Sequence, residues 1–585
     1  MTKMRVEILP LFACLLYSFS ASALTMTPYI PPSYDDVLNS PQILFAHYVF
    51  SPLQYSQTDY WPNDVCMYYI IPANTPTSAG NQRLCPASLV SCCANSSYII
   101  NNLKAEIARM IAVGINGVAL DLFSTCDWSE SGVNCPGFPG ALINMLHAAA
   151  GVDSRFKVLP MPDMTAGIKP SDLPNLWTAT IGSTTIYHHP NIYRWPDANN
   201  YPQLSPFCTE CFPESNYSSA FATMNSAGTP ISWAPIFGSL GCNGSPNGCV
   251  FSPYISLPTV SVGGFGGLLT SLNDMELALT NVGGPLGGNT YGGGPPINWV
   301  GPVKIFGGMN PQAYQSASGT LYESQNSLAY RVGWESQFRI NSSLGNIMVV
   351  TWNDYGESTA IQASANQYGE PSLGFYALTG YYTTWWRQGA PPTIVNDAIL
   401  YFYRKQTYAA AHGATIAGLT KPPTLQASSS PAQDEVEMVA FLTSPATMAI
   451  TINNTTTTYA GTTGLNAFTV PQEAATPMFS ILRGNATILS IPGIQTYGNT
   501  QLPAGQVVPG LTLCSPASTC FPAGIPDPVY YSDSTFNPIC DLSESLLSIS
   551  LWNSTACPAK TGTSSISGSS SRSSCLFHLL AHVVK

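Results

Sequence analysis

The pattern that most constrains this chain is an alternation of short apolar, β-branched runs with stretches of helical periodicity. Strand-like runs fall at 43–50, 117–121, 156–164, 186–195, 231–237, 303–306 and 347–352, and helical periodicity at 103–113 and 141–150. Neighbouring parallel strands need a crossover between them, and a helix supplies it, so the alternation predicts parallel β/α units. This many units favours an α/β architecture, a (β/α)8 TIM-type barrel, whose chemistry sits where the strands end. Past Pro423 the composition changes to short β-rich runs at 436–450, 451–459 and 487–491, separated by Gly, Pro, Ser and Thr. These predict a smaller C-terminal β-sandwich-like domain.

Lys3 and Arg5 precede an apolar run at 8–19, and Ala21-Ser22-Ala23 offers a small-residue cleavage site, the form of a secretory signal. The expected organisation is a signal peptide at 1–23, a catalytic barrel at 24–422, a β-rich accessory domain at 423–560, and a Ser/Gly linker with a short apolar tail at 561–585. Two insertions interrupt the alternation, a cysteine-rich one at 59–97 and a glycine-rich one at 263–301. The latter has no Lys-Ser/Thr after its glycines and is not a phosphate loop.

Export agrees with the cysteines, of which there are sixteen. Most are expected to pair in an oxidising compartment, and for Cys208-x-x-Cys211 a disulfide is favoured over a metal. Eight Asn-x-Ser/Thr sequons (Asn95, Asn216, Asn243, Asn341, Asn453, Asn454, Asn485, Asn553) suit an exported glycoprotein. The tail that follows Ser567-Gly568-Ser569 has two readings, a GPI signal or a frayed end. Parity bears on the choice: loss of Cys14 with the leader leaves an odd number of cysteines, and loss of Cys575 with the tail restores an even one. The formal net charge of −11 and the 9% charged residues argue against nucleic acid, which selects basic surfaces. Esterase, zincin and NTPase signatures are absent from the sequence.

The run 347–352 ends in Trp352-Asn353-Asp354-Tyr355-Gly356-Glu357. A buried strand that delivers two acids to its carboxyl end is the equipment of a glycosidase, one acid to protonate the leaving oxygen and one carboxylate to act on the sugar or on water. Three extended residues span at most ~10 Å, and Gly356 permits a turn that shortens this. The pair therefore fits the ~6.5–9.5 Å gap of an inverting enzyme. Which of Asp354 and Glu357 is acid and which is base stays open at this point; Glu357 is preferred as donor and Asp354 as base. His47 and Tyr48, and likewise His189, Tyr193 and Arg194, are candidates to bind sugar hydroxyls or else structural hydrogen-bonding groups. Trp352, beside the acids, is a candidate to stack on a pyranose ring.

With these blocks in place the chain resembles the fungal α-1,3-glucanases (mutanases) of glycoside hydrolase family 71. The resemblance rests on Leu44-Phe45-Ala46-His47-Tyr48, on Gly114-Ile115-Asn116-Gly117-Val118-Ala119-Leu120, and above all on Thr351-Trp352-Asn353-Asp354-Tyr355-Gly356-Glu357-Ser358. Trp334-Glu335, Trp385-Trp386-Arg387-Gln388-Gly389, Asp397 and Tyr401-Phe402-Tyr403-Arg404 support it. It implies a barrel with a β-sandwich, hydrolysis of fungal cell-wall α-1,3-glucan with inversion and in endo mode, no metal or other cofactor, and a monomer. Its essential acids fall on Asp163, Asp354 and Glu357, with Asp121 as the rival of Asp163 and Asn353 and Tyr355 as neighbours that bind substrate. The alternatives are a non-catalytic cell-wall glucan-binding glycoprotein and a glycosidase of a related α-glucan.

Overall fold

The computed structural model describes residues 27–49, 96–129, 140–196, 199–236, 257, 261–263, 304–315, 319–339, 344–354, 357–362, 373–412, 423–426, 430–496, 530–536 and 538. The expected signal peptide, most of the cysteine- and glycine-rich insertions, Tyr355 and the tail at 561–585 lie outside the described residues.

The first part is a mixed α/β fold on a parallel sheet. Its strands are β1 (Leu44–Tyr48), β2 (Gly117–Leu122), β3 (Lys157–Pro162), β4 (Tyr201–Leu204), β5 (Ser232–Trp233), β6 (Ser261–Gly263), β7 (Lys304–Met309) and β8 (Leu344–Val349). Between and after them come the helices α1 (Ser96–Ala112), α2 (Ala141–Val152), α3 (Leu173–Thr178), α4 (Glu214–Ser226), α5 (Leu328–Arg339) and α6 (Leu373–Gln388). Six strands form one sheet in the order β3-β2-β1-β8-β7-β6, every pair parallel. The parallel pair β4-β5 continues it beyond β3. There Ser205 N donates to Pro160 O at 3.2 Å and Phe207 N to Pro162 O at 2.9 Å, and Asp163 and Phe207 form a parallel bridge. The run expected at 186–195 is broken and is not the fourth parallel strand: Ile186–His188 is a 3-10 turn, Ile192 makes a single bridge to Val158, and Arg194–Trp195 is a two-residue strand antiparallel to Tyr201–Pro202. Pro190, which has no N–H to give, interrupts that run.

Side chains alternate across the strands. On one face Phe45, Ala119, Leu159, Met161, Phe306 and Met348 belong to one buried cluster. On the other Leu44, Ala46, Val118, Leu120, Val158 and Val349 pack with the helices. Among the described residues no helix is long and apolar enough to cross a membrane. Cys208 and Cys211 are joined by a disulfide, as the sequence favoured.

The second part is antiparallel. Its strands are β9 (Ala398–Tyr403), β10 (Glu435–Leu442), β11 (Ala446–Ile452), β12 (Thr455–Gly461), β13 (Gly464–Pro471), β14 (Met478–Arg483), β15 (Ala486–Pro492) and β16 (Tyr531–Ser534). They form two four-stranded sheets, β13-β10-β9-β16 and β12-β11-β14-β15. Met438, Leu442, Ile450, Tyr401 and Phe479 share a core cluster drawn from both sheets. β10 is buried on both faces, because Val439 and Phe441 turn the other way and join the helical core. Phe441 meets Tyr381 of α6 with ring centroids 5.0 Å apart, and Phe402 of β9 meets Phe375 of α6 at 4.9 Å. β9 precedes residue 423 yet takes its hydrogen bonds from β10 and β16. This sheet therefore takes one of its strands from before residue 423.

Candidate active site

The inward face of the parallel sheet changes chemistry as each strand ends. Inward positions recur every second residue, so the apolar series Ile43-Phe45 continues into His47, Ala119 into Asp121, and Leu159-Met161 into Asp163. Because the strands are parallel, all three polar side chains fall at the carboxyl end, and all are buried.

The fourth contribution comes from the segment after β8. Thr351 N donates to Thr359 O at 3.0 Å, Ile361 N to Thr351 O at 3.1 Å and Gln362 N to Trp352 O at 3.0 Å. These bonds close 351–362 into an irregular hairpin loop, without an antiparallel ladder, that carries Asp354 and Glu357. The hairpin is fastened to β1, since Trp352 N donates to His47 O at 2.7 Å. Asn353 and Val49 exchange two further bonds of 2.9 and 3.2 Å. At the tip Asp354 N donates to Thr351 Oγ1 at 2.7 Å, and Asp354 Oδ1 accepts the N–H of Glu357 at 2.9 Å. The carbonyl of Glu357 accepts Tyr314 N at 2.8 Å. Ser358 closes the turn with φ 58°, a left-handed conformation that costs a non-glycine residue about 1 kcal/mol or more.

The electrostatics are those of too many acids in one place. Burial is the main force that pushes Asp121 well above the usual carboxylate range, and the neighbouring charges of Asp163, Asp354 and Asp127 push the same way. Burial also raises Asp163, against the hydrogen bonds that Thr165 makes to its Oδ1 (N–H at 2.7 Å, hydroxyl at 2.6 Å). His47 moves oppositely. Burial lowers it to about 4, although Asp354 and Asp163 pull upward. The 3.4 Å approach of His47 Nε2 to Asp121 Oδ2 has the distance of a salt bridge, but both shifts favour the neutral forms. We read it as a contact between a neutral imidazole and a carboxyl that burial drives towards protonation.

The structure thus gathers His47, Asp121, Asp163 and Asp354, ties Glu357 to them through its N–H on Asp354 Oδ1, and sets the other candidates apart. Tyr48 follows His47 in the strand, so it points to the helical side and is fully buried in that core. Trp352 is 0% exposed, its indole N–H on Glu106 Oε2 at 2.6 Å, which corrects the expectation of a sugar-stacking ring. Asn353 is buried and exchanges its side-chain bonds with the backbone of Val49. His189 precedes Asn191, whose carbonyl meets Val158 near the start of β3, so it lies at the amino end, opposite the acids. Tyr193 is an internal packing residue whose hydroxyl donates to Asn346 at 3.1 Å. Arg194 stays local, on the carbonyls of Asn200 and Tyr187 and over the Tyr187 ring.

Three residues were not expected. Tyr322 is half-buried and its hydroxyl feels the charge of Glu357, which with burial pushes its pKa up. Asn310 is buried directly after β7 at the same end of the sheet. Glu106 holds Trp352 from behind. Only Asn310 had a sequence signal, its position two and four residues beyond Gly308 and Phe306 on the inward series.

Residues 314–504 match the profile of Glycosyl hydrolase family 71. The chain is 26% identical over 424 residues to Glucan endo-1,3-alpha-glucosidase agn1 of Schizosaccharomyces pombe, a similarity that covers 68% of this chain and 87% of that protein. Among solved structures, the GH99 endo-alpha-mannosidase from Bacteroides thetaiotaomicron is similar at 12% identity and TM-score 0.37, over 49% of this chain and 80% of its own. A glycosyl hydrolase family 2 member from Bacteroides cellulosilyticus DSM 14838 is similar at 10% identity and TM-score 0.34, over 70% of this chain and 44% of its own. Scores this low carry no argument about the fold. The matched segment contains the whole Asp354–Glu357 hairpin, and both likenesses are to hydrolases of glycosidic bonds.

Proposed function

We propose that this glycoside hydrolase of α-1,3-glucan acts on fungal cell walls, cuts within the polymer and inverts the anomeric centre. Glu357 protonates the departing glycosidic oxygen, and Asp354 takes a proton from the attacking water. Asp163, with Asp121 and His47 beside it, lines the subsite where the sugar ring gains positive charge. The observation that carries this reading is the hairpin tip, where Asp354 and Glu357 share one turn and Asp354 acts electrostatically on both His47 and Asp121. The protein acts as a monomer, exported by its leader and held at the cell surface or released according to the fate of its tail.

The scaffold in this reading is a (β/α)8 barrel at 24–422 with a C-terminal β-sandwich at 423–560 that borrows β9. Two features support closure of the parallel run. β8, last of its strands in sequence, pairs with β1, the first. Tyr193 lies beside β3 and bonds to Asn346 on β8 at 3.1 Å. In a flat sheet the three steps β3-β2-β1-β8 would separate those strands by about 14 Å, at roughly 4.8 Å per step, so the sheet must curl.

Proton NMR of the purified protein on insoluble α-1,3-glucan tests the proposal. The β-anomer is expected first, followed by mutarotation. An α-anomer first would demand a nucleophile and move attention to Asp163; no new reducing ends at all would favour the non-catalytic reading.

A further inference from the structure

Glu106 lies on α1, on the helical side of the sheet, and is 0% exposed. A carboxylate in such a place is costly unless its oxygens are met by donors, and here they are. Its Oε2 accepts the indole N–H of Trp352 at 2.6 Å and the side-chain amide of Gln362. Its Oε1 accepts Arg109 NH1 at 2.6 Å, one helical turn along. Trp352 and Gln362 occupy opposite arms of the hairpin and face each other, since Gln362 N also donates to Trp352 O at 3.0 Å. One carboxylate therefore grips both arms immediately below the tip.

We infer that Glu106 is a positioning residue of the active site, a clamp that fixes the hairpin base and through it the placement of Asp354 and Glu357. The inference rests on the reading of those two as the working carboxyls. Packing alone would not require this residue, because a well-packed apolar side chain of similar volume serves a core as well as a buried charge does. The clamp needs an acceptor whose one oxygen, Oε2, meets both Trp352 and Gln362 while Oε1 stays with Arg109. It joins arms that also meet through backbone bonds and through the Thr351 and Thr359 hydroxyls, 2.9 Å apart, and a displacement near 1 Å at the tip is enough to lower turnover by ~10²-fold.

Glu106→Met removes the acceptor at similar volume, Glu106→Gln keeps the shape without the charge, and Glu106→Asp keeps the charge with a shorter reach. Two measurements go together, hydrogen exchange at the amides of Glu357, Thr359 and Ile361, and kinetics on α-1,3-glucan with a pH profile. Glu106→Met is expected to speed exchange at these amides by ~10-fold or more. It should lower kcat by ~10–10²-fold with KM within about threefold, and shift the pH limbs set by Asp354 and Glu357. Glu106→Gln should fall between Glu106→Met and the parent protein, and Glu106→Asp should recover part of the loss. A folded Glu106→Met protein with unchanged exchange and unchanged kcat overturns the clamp, and if that variant does not fold, Glu106→Gln decides by the same two readouts. A parent protein without activity on α-1,3-glucan would instead overturn the proposed function, and the exchange comparison would still decide the clamp.

Discussion

Where the antiparallel sheets meet the rest of the chain, buried charges come in matched pairs; at the carboxyl end of the parallel sheet they do not. Arg404, 1% exposed, donates to Glu323 Oε2 at 2.6 Å and lies 4.2 Å over the Tyr530 ring. Arg331 donates to the buried Glu437 Oε1 at 2.8 Å, and nearer the surface the partly exposed Arg483 donates to Asp397 Oδ1 at 2.9 Å. At the other place the charges that act on Asp121 are Asp163, Asp354 and Asp127, all of one sign. Paired charge of the first kind holds surfaces in register. Like charges crowded together and out of water oppose stability, and the same crowding is the environment that proton chemistry needs.

The largest effects should separate the two regions by what is lost. Asp354→Asn and Glu357→Gln preserve shape, and each is expected to lower turnover of α-1,3-glucan by ~10²–10⁴-fold or more with little change in melting temperature. Near-parental release of reducing ends by either would break the comparison on the catalytic side. Arg404→Met should do the reverse. It leaves Glu323 buried without its cation, and denaturant unfolding should record a loss of about 3–5 kcal/mol, while the folded fraction keeps its kcat. A stable Arg404→Met protein would mean that the pair contributes nothing.

The third prediction is smaller and concerns protons. The histidine ring is held neutral, so an NMR titration of His47 should show a midpoint near 4. Asp354→Asn should move it lower still, since Asp354 pulls upward. The folded value lies below the unfolded one, near 6.5, so the unfolded chain binds more protons between them, and stability contributed by neutral His47 is lost as pH falls through that window. Asp121 and Asp163 run oppositely, because their raised values make the folded chain the better proton binder; they cost stability as pH rises above the ordinary carboxylate range. A His47 midpoint near 6.5 would show that the site is better hydrated than its burial implies. The smallest effect is expected at Ser358, where Ser358→Gly removes the left-handed strain and should change unfolding free energy by no more than about 1 kcal/mol.

Much of this site could be read from the chain because strand alternation is local. The period-two series that ends in His47, Asp121 and Asp163 is visible in the letters, and the hairpin announces itself by its acids. What could not be read was direction and distance. Tyr48 and His47 looked equivalent until the inward face was known, and Trp352 looked like a sugar platform until Glu106 was found behind it, 246 residues earlier in sequence. His189, Tyr193 and the Arg194–Tyr187 pair belong to packing at the amino end, and nothing in a strand-like run says which end of a sheet it reaches. Tyr322 sits in a short hairpin with no motif, and its nearness to Glu357 is a product of tertiary folding alone.

The arrangement of β9 has a consequence for biosynthesis. Its neighbours in the sheet are β10 and β16, and Ile399 N meets Thr535 Oγ1 across 136 residues of chain. As the polypeptide emerges, residues 398–403 appear long before the strand that covers their second edge. Such a strand, apolar on both faces, waits with its backbone groups open to other chains. The sheet is complete only when 531–534 arrives, and a chain released before then leaves this edge open although its Asp354–Glu357 hairpin was made long before.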